Sequence, residues 1–174
     1  MLEFATCVSQ LESNKAVMEK LFGDLDSEQA RWKPGEDRWS ALEILNHLID
    51  IEIHDFRYCF DLILFDPAKA WPSFNEIEWI SSKKYNERDL GTSKNNFLED
   101  RAKSINWLKG LVDPDLDSKH LGHGLKNKNM RAGDLLTAWI GHDLFHIKQT
   151  TLLKWDILRK WSVPYSPDYS GFYV

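Results

Sequence analysis

Apolar residues recur every three to four positions along four long stretches of the chain, the spacing of one face of an α-helix. The four stretches are residues 4–22, 40–65, 92–111 and 132–160. No stretch of comparable length alternates apolar and polar residues as a half-buried strand does. The second stretch has the clearest beginning, because Ser40 and Glu43 stand at the spacing of a capping box. The sequence therefore predicts an all-α protein built from four long helices.

The connection between the second and third predicted helices, residues 66–91, is long and rich in Pro, Trp and Ser. A connection of about 25 residues reaches roughly 80 Å when extended, whereas a helix of about 26 residues is roughly 39 Å long. The chain can therefore return along the whole second helix, so that helices two and three run parallel. This predicts a four-helix bundle in up-down-down-up order with a long crossover. The alternative is an ordinary antiparallel bundle with a loose loop.

The composition narrows the class of protein. The chain has 174 residues, a formal net charge of −5 and an aromatic content of 13%. This length suits a single domain over residues 1–174, and the aromatic content argues against disorder. The negative charge disfavours nucleic-acid binding, which depends on clustered Lys and Arg, and no run of about 20 apolar residues exists to span a membrane. Since no signal peptide is evident either, we expect a cytoplasmic protein.

The two cysteines, Cys7 and Cys59, are too few for a disulfide framework and do not form a CxxC metal clip. Both lie in apolar helical stripes, so we expect them to be inert core thiols.

A pair of histidines lies on one face of the fourth predicted helix. His142 and His146 are four residues apart, so their imidazoles lie one turn apart and can meet on one metal ion at about 2.0–2.1 Å. Because the chain has 6 histidines, such a pair also arises by chance. The setting of the pair is more informative than its spacing, because the large apolar residues Trp139 and Leu153 stand before and after it on the same helical stripe. A polar pair in such a stripe is predicted to face inward and to need a partner.

His47 has an equivalent setting on the second predicted helix, where Ile44, Leu48 and Ile51 surround it. Inward histidines on different helices are a common way to build a metal site in a bundle core. Three histidines leave open coordination positions, which is typical of a reactive rather than a structural metal. The alternative is that His47 is a core histidine bonded to a backbone carbonyl.

Two motifs resemble those of a known family. Residues 39–52, WSALEILNHLIDIE, resemble the second-helix motif of the DinB/YfiT-like superfamily. Residues 139–149, WIGHDLFHIKQ, resemble its last-helix motif, with the Trp, the HDxxH and the trailing Gln in place. Residues 31–35, RWKPG, are similar to the family's entry loop. At the level of helix order the resemblance covers nearly the whole chain.

The resemblance implies an up-down-down-up bundle with a divalent metal ion held by His47, His142 and His146. We expect Zn or Ni, with Fe and Mn as further candidates, because imidazole ligands suit several of these metals. Characterised relatives are thiol transferases or isomerases that use low-molecular-weight thiols. A thiol bound at the metal would ionise and attack a small electrophile. Dimers are common in the family, and a homodimer is one assembly that the resemblance allows.

Two alternatives to a thiol S-transferase stay open. One is a metal-dependent hydrolase that uses water activated at the metal, and the other is a bundle that binds a metal or ligand without catalysis. A zincin-like protease is disfavoured, because Asp143 replaces the longer Glu of HExxH and the third ligand lies upstream. We expect Asp143 to orient a ligand imidazole or to bond a polar group of a neighbouring helix, and Gln149 has the same two interpretations.

The remaining histidines are weaker candidates. His54 lies seven residues beyond His47, on nearly the same helical face, and either extends the site or lies on a solvated flank. His120 and His123 belong to a segment rich in Gly and Lys, which we expect to be a solvated loop rather than a site for an anionic substrate. Trp39 and Trp139 are predicted to line the metal site. The aromatic residues of the tail, 161–174, are predicted to pack on the bundle or at a subunit interface.

Overall fold

The computed structural model describes residues 3–121 and 129–171, and long α-helices dominate both ranges. The helices are α1 Phe4–Gly23, α2 Ser27–Arg31, α3 Ala41–Ile51, α4 Arg57–Phe65, α5 Glu76–Ser82, α6 Leu90–Gly110 and α7 Ala132–Trp161. Every predicted helix is present, with ends shifted by one or two residues. α6 begins at Leu90 rather than at residue 92, because the side chain of Asp89 accepts a hydrogen bond from the Thr92 amide at 2.8 Å and so caps the helix.

The second long helix, α3–α4, is continuous but contains one π-helical turn, Glu52–Phe56. The predicted capping box is confirmed at its start. The Ser40 hydroxyl accepts from the Glu43 amide at 3.0 Å, and the Glu43 carboxylate accepts from the Ser40 amide at 2.8 Å. Because a π turn bonds five residues apart instead of four, it changes the direction in which the following side chains point.

Contacts between the helices establish the predicted up-down-down-up order. Along α1 and α7, Asn14 bonds Asp143 and Leu21 bonds Lys154, so the sequence numbers rise together and these two helices are parallel. α3–α4 and α6 are also parallel, because Asn46 bonds Ser93 and Glu52 bonds Arg101. α3–α4 and α7 are antiparallel, since His47 meets His142 while Glu52, further along, meets Trp139.

The crossover between α4 and α6 is ordered and packs on α3. It contains α5 and a short 3-10 turn, Tyr85–Glu87. The Tyr85 side chain is fully buried and its hydroxyl donates to Asp50, which also accepts from Lys83 at 2.9 Å. Asn86 bonds the Ser40 hydroxyl and the carbonyl of Arg31. The crossover thus returns along α3, as the parallel arrangement of α3–α4 and α6 requires.

Two hydrophobic cores occupy the two ends of the bundle. The first is centred on Leu11, Phe60, Leu108 and Trp139, and the second on Phe22, Leu45, Phe97 and Ile157. Cys7 and Cys59 are buried in the first core, and burial raises the pKa of both thiols, as expected for inert cysteines. Buried polar side chains of α3–α4, α6 and α7 lie between the two cores. We call this region the polar layer, and its main members are His47, Glu52, Arg101, Asp143 and His146.

Two other observations concern the surface. Among the described residues, every helix is either too short or too polar to cross a lipid bilayer. Beyond α7, Tyr165 and Tyr169 are largely exposed. The prediction that the aromatic residues of the tail pack on the bundle is therefore wrong for these two rings.

Candidate metal centre

His47, His142 and His146 meet in the polar layer. His47 lies on α3 and is 2% exposed, and the other two lie one turn apart on α7. Nε2 of His142 is 3.2 Å from Nε2 of His47 and 3.2 Å from Nε2 of His146. In residues 3–121 and 129–171 this is the one group of three such side chains whose ligand atoms all lie within 4.8 Å of one another.

These separations suit a metal ion. Two ligands of a tetrahedral ion with bonds of about 2.1 Å stand roughly 3.4 Å apart, and two neighbouring ligands of an octahedral ion stand about 3.0 Å apart. The observed 3.2 Å lies between the two values. The sequence-based alternative for His47, a core histidine bonded to a backbone carbonyl, does not describe it. Its Nε2 faces His142, and its Nδ1 has no hydrogen-bond partner among the described residues.

The environment keeps the three imidazoles neutral. Burial lowers the pKa of His47 to about 3, and repulsion by a protonated His146 adds to the effect. Burial and the two neighbouring histidines lower the pKa of His142 to about 2, and burial also lowers that of His146. A neutral imidazole offers a free lone pair, which is the form that binds a metal. At neutral pH a metal ion would therefore displace no proton from this site.

Gln149 fixes the tautomer of one ligand. Nδ1 of His146 donates to Oε1 of Gln149 at 2.7 Å, so the proton is on Nδ1 and the lone pair of Nε2 is directed at the other histidines. Of the two interpretations of Gln149 from sequence, orientation of a ligand imidazole is the one that this bond supports.

Aromatic rings surround the three histidines. Trp39 lies with its ring centre 5.0 Å from that of His47 and stacks on His146 at 6.2 Å. Phe56 contacts His142 at 5.1 Å and stacks on Trp139 at 5.5 Å. The prediction that Trp39 lines the site is confirmed. The ring of Phe56 lies between Trp139 and His142, so Trp139 borders the histidine group through Phe56.

Directly beside the histidines is a buried ion cluster that we call the Arg101 cluster, formed by Arg101, Glu52 and Asp143. Arg101 is 1% exposed; it donates to both oxygens of Asp143 at 2.6 and 2.7 Å and lies 2.9 Å from a Glu52 oxygen. Trp139 donates to Glu52 at 3.1 Å, and Asn14 donates to Asp143 at 3.1 Å. Asp143 therefore bonds polar groups of neighbouring helices, which is one of its two predicted roles.

Sequence reasoning missed Arg101 and Glu52. A signal was present, because Arg101 stands four residues after Phe97 and four before Ile105, within the buried stripe of α6. A cation at such a position needs a buried carboxylate. Glu52 gave no comparable signal, because its partners Arg101 and Trp139 lie on helices that are distant from it in sequence. Burial raises the pKa of Glu52, while the attraction of Arg101 opposes the shift.

His54 does not extend the site. In an unbroken helix it would share a face with His47, but it lies within the π turn and its side chain is 50% exposed. Its ring meets Trp79 of the crossover at 5.5 Å. Of the two interpretations from sequence, the solvated flank is correct for His54. Its neighbour Asp50 is instead mostly buried and bonded to Tyr85.

The expectation of a solvated loop is wrong for His120. It is 3% exposed, its Nε2 bonds the carbonyl oxygen of Lys69 at 2.7 Å, and its ring meets Trp71. An isolated bridge between Lys119 and Arg131 holds the two ends of the segment together, and the contacts with Lys69 and Trp71 enclose His120. His123, with Lys126 and Lys128, lies outside the described residues.

Comparison with known proteins places these features in context. The family model described as the DinB superfamily matches residues 10–150. A similar solved structure is that of YfiT from Bacillus subtilis, reported as a probable metal-dependent hydrolase with an unusual four-helix bundle topology. The two chains are 18% identical, the match covers 87% of this chain and 86% of YfiT, and the TM-score is 0.75. At this identity the likeness concerns the fold. A search of curated proteins gave no match.

Proposed function

The chain belongs to the DinB superfamily, and on that premise we propose that it is a metal-dependent enzyme in which His47, His142 and His146 hold a divalent ion. The observation that carries this proposal is the convergence of three Nε2 atoms, two pairs of them 3.2 Å apart, from two different helices. The neutral state of the imidazoles and the bond from His146 to Gln149 support it. Zn and Ni are the first candidates for the ion.

We favour a small thiol as the nucleophile, and therefore transfer of that thiol to a small electrophile. A bound divalent cation would lower the pKa of a thiol enough to ionise it, and would do the same less completely for water. Water is helped by a nearby general base, as the Glu of HExxH helps it. Asp143 stands at that position of the motif, but both of its oxygens accept from Arg101. A thiol, with a usual pKa of about 8.5, needs such a base least.

Hydrolysis is the second candidate. It is favoured by the structural similarity to YfiT, which is reported as a probable metal-dependent hydrolase. In both reactions the chain itself would contribute the same parts. The three histidines would hold the ion, Gln149 would keep His146 in the ligating tautomer, and the aromatic rings would exclude bulk water.

The first experiment measures bound metal. Untagged protein, purified from metal-replete cells, is expected to carry about one equivalent of a divalent metal by mass spectrometry. His142→Ala and His146→Ala should lose it, whereas His54→Ala, a matched change of an exposed histidine, should retain it. Wild-type protein without stoichiometric metal would refute the site.

The second experiment separates the two reactions. Metal-loaded protein is incubated with an electrophilic dye, with and without a low-molecular-weight thiol, and with a chromogenic ester alone. Thiol-dependent conjugation that disappears in His47→Ala would support the transferase, and thiol-independent ester cleavage lost in the same variant would support the hydrolase. If metal is bound but neither activity is found in a broad screen, the non-catalytic alternative is favoured.

A further inference from the structure

Phe145 is an exposed aromatic residue at the edge of the proposed metal centre. It is 60% exposed, yet its ring centre lies 4.9 Å from that of His146, with the two rings nearly perpendicular at 79°. Trp39 stacks on the same imidazole, at 16° between the planes. His146 is therefore flanked by two aromatic rings, one of which faces solvent.

The partly exposed member of the histidine group lies next to Phe145 on the helix surface, because Phe145 follows His142 by three residues. His142 is the one member of the group that is not fully buried. Gly141, directly before it, is exposed, and a Cβ atom at that position would meet no other atom within 4 Å. Gly141 and Phe145 are one turn apart on the same side of α7, so a ligand that approaches the group past His142 would pass the ring of Phe145.

The side chains that meet the three imidazoles through ring contacts or hydrogen bonds are neutral: Trp39, Phe56, Phe145 and Gln149. The charged neighbours of the group, Asp50, Arg101 and Asp143, are buried and already paired, Asp50 with Lys83 and Arg101 with Asp143. Sites that bind small molecules are generally apolar and aromatic, with a few polar groups that fix orientation. Here the metal ligands would supply the polar part and the rings the apolar part. Such a surface suits a flat aromatic group better than an aliphatic or charged one, because aromatic rings pair in stacked or edge-to-face arrangements.

We propose that Phe145, together with Trp39, forms the entrance of the metal centre and selects substrates whose reacting group is attached to an aromatic ring. This inference rests on the proposed function, because it assigns the substrate side of the same centre. Phe145 acts as a specificity-determining residue, and it binds the ring of the substrate without taking part in the bond changes.

The test measures binding rather than turnover. Protein loaded with Co²⁺ is titrated with benzohydroxamate and with acetohydroxamate, two chelators that differ in the ring, and the change in the visible absorption of the cobalt reports binding. Wild-type protein should prefer benzohydroxamate. Phe145→Ala should reduce that preference about threefold to tenfold, the effect of losing one aromatic pair. Phe145→Tyr should restore it.

Leu144→Ala is the matched control, because Leu144 is 51% exposed on the same helix turn. It should leave the preference unchanged, and all variants should bind the same amount of cobalt. An unchanged preference in Phe145→Ala, with normal cobalt uptake, would overturn the entrance proposal and leave the metal centre intact. Failure of wild-type protein to take up cobalt would instead overturn the proposed function, and the entrance proposal with it.

Discussion

The polar layer contains two groups that differ in how well they are paired. The Arg101 cluster and the histidine group lie side by side, and His142 and Asp143 are neighbours in sequence. In the cluster, each charged side chain has partners of the right kind. Arg101 donates to both carboxylates, which also accept from Trp139 and Asn14. The cluster is therefore complete within the protein and links α1, α3–α4, α6 and α7.

The histidine group is incomplete by comparison. His146 has its proton on Nδ1, so its Nε2 can only accept. Nδ1 of His47 has no partner among the described residues. The Nε2 atoms of the three histidines face one another, and they share too few protons to satisfy one another's hydrogen-bonding capacity within the protein. The contrast teaches that burial of polar groups does not by itself identify a functional site. The informative feature is which buried groups the protein leaves incompletely paired.

The strongest test of this contrast removes the cation of the cluster. Arg101→Leu would leave Glu52 and Asp143 buried without compensation, so we expect the unfolding free energy of the metal-free protein to fall by about 3–5 kcal/mol. Denaturant titration followed by circular dichroism measures it. Arg57→Leu is the control, because Arg57 is only half-buried at the start of α4. This change should alter the unfolding free energy by less than about 1 kcal/mol. Equal losses in both variants would show that the cluster is not a special stabilising element.

A second test weakens the histidine group without removing a ligand. Gln149→Leu deletes the acceptor that holds the Nδ1 proton of His146, so the ligating tautomer is no longer favoured. We expect metal affinity to fall by about 10-fold to 100-fold, with little change in the stability of the metal-free protein. Competition with a chelator of known affinity measures this, with Lys148→Leu on the exposed neighbouring position as control. An unchanged affinity would remove Gln149 from the centre.

Acidification tests the histidine group through the pH dependence of stability. His47 is neutral in both the folded and unfolded protein above its ordinary pKa of 6.5, whereas below that value the unfolded chain takes up a proton that the folded protein refuses until about pH 3. The unfolding free energy of metal-free protein should therefore fall, from this residue alone, by about 1.4 kcal/mol per pH unit as the pH drops below 6.5. His47→Gln should reduce the slope between pH 6 and 4 by that amount. Parallel stability curves for wild type and variant would contradict the assignment.

The smallest effect is expected for the histidine outside both groups. His54→Ala should leave metal affinity within about twofold and stability within about 0.5 kcal/mol, because the side chain is half exposed and lies in the π turn. The same two titrations measure it. A large loss of metal would mean that the π turn rearranges so that His54 joins His47.

The bundle order and the histidine group could be predicted because their causes are local in sequence. Ser40 and Glu43 begin α3, the long connection determines which helices are parallel, and spacing by four residues brings His142 and His146 together. The pairing of the other buried polar residues depends on contacts between residues that are distant in sequence. The partner of Asp143 is Arg101, 42 residues away. Nothing in the residues around Asp143 specifies that distance.

The direction of side chains after His47 could not be predicted either. Helical periodicity assumes a constant rotation per residue, and the π turn Glu52–Phe56 breaks that assumption within one helix. For this reason regular helical rotation predicts His54 on the face of His47, although its side chain is half exposed. Glu52 could not be recognised as a partner of Arg101, because the two residues are 49 positions apart. His120 was misjudged for a related reason, because the enclosure comes from Lys69 and Trp71, which lie far from it in sequence.

The up-down-down-up order also has a consequence for how the chain folds. α1 packs chiefly on α6 and α7, and its bond from Asn14 to Asp143 joins residues 129 positions apart. During synthesis α1 is made before α6 and α7, so its chief native partners are the last helices of the bundle to leave the ribosome. Helical proteins with local contacts fold fastest, so this bundle is expected to fold more slowly than an antiparallel bundle of the same length. The apolar face of α1 therefore reaches its full burial only after α6 and α7 have been added.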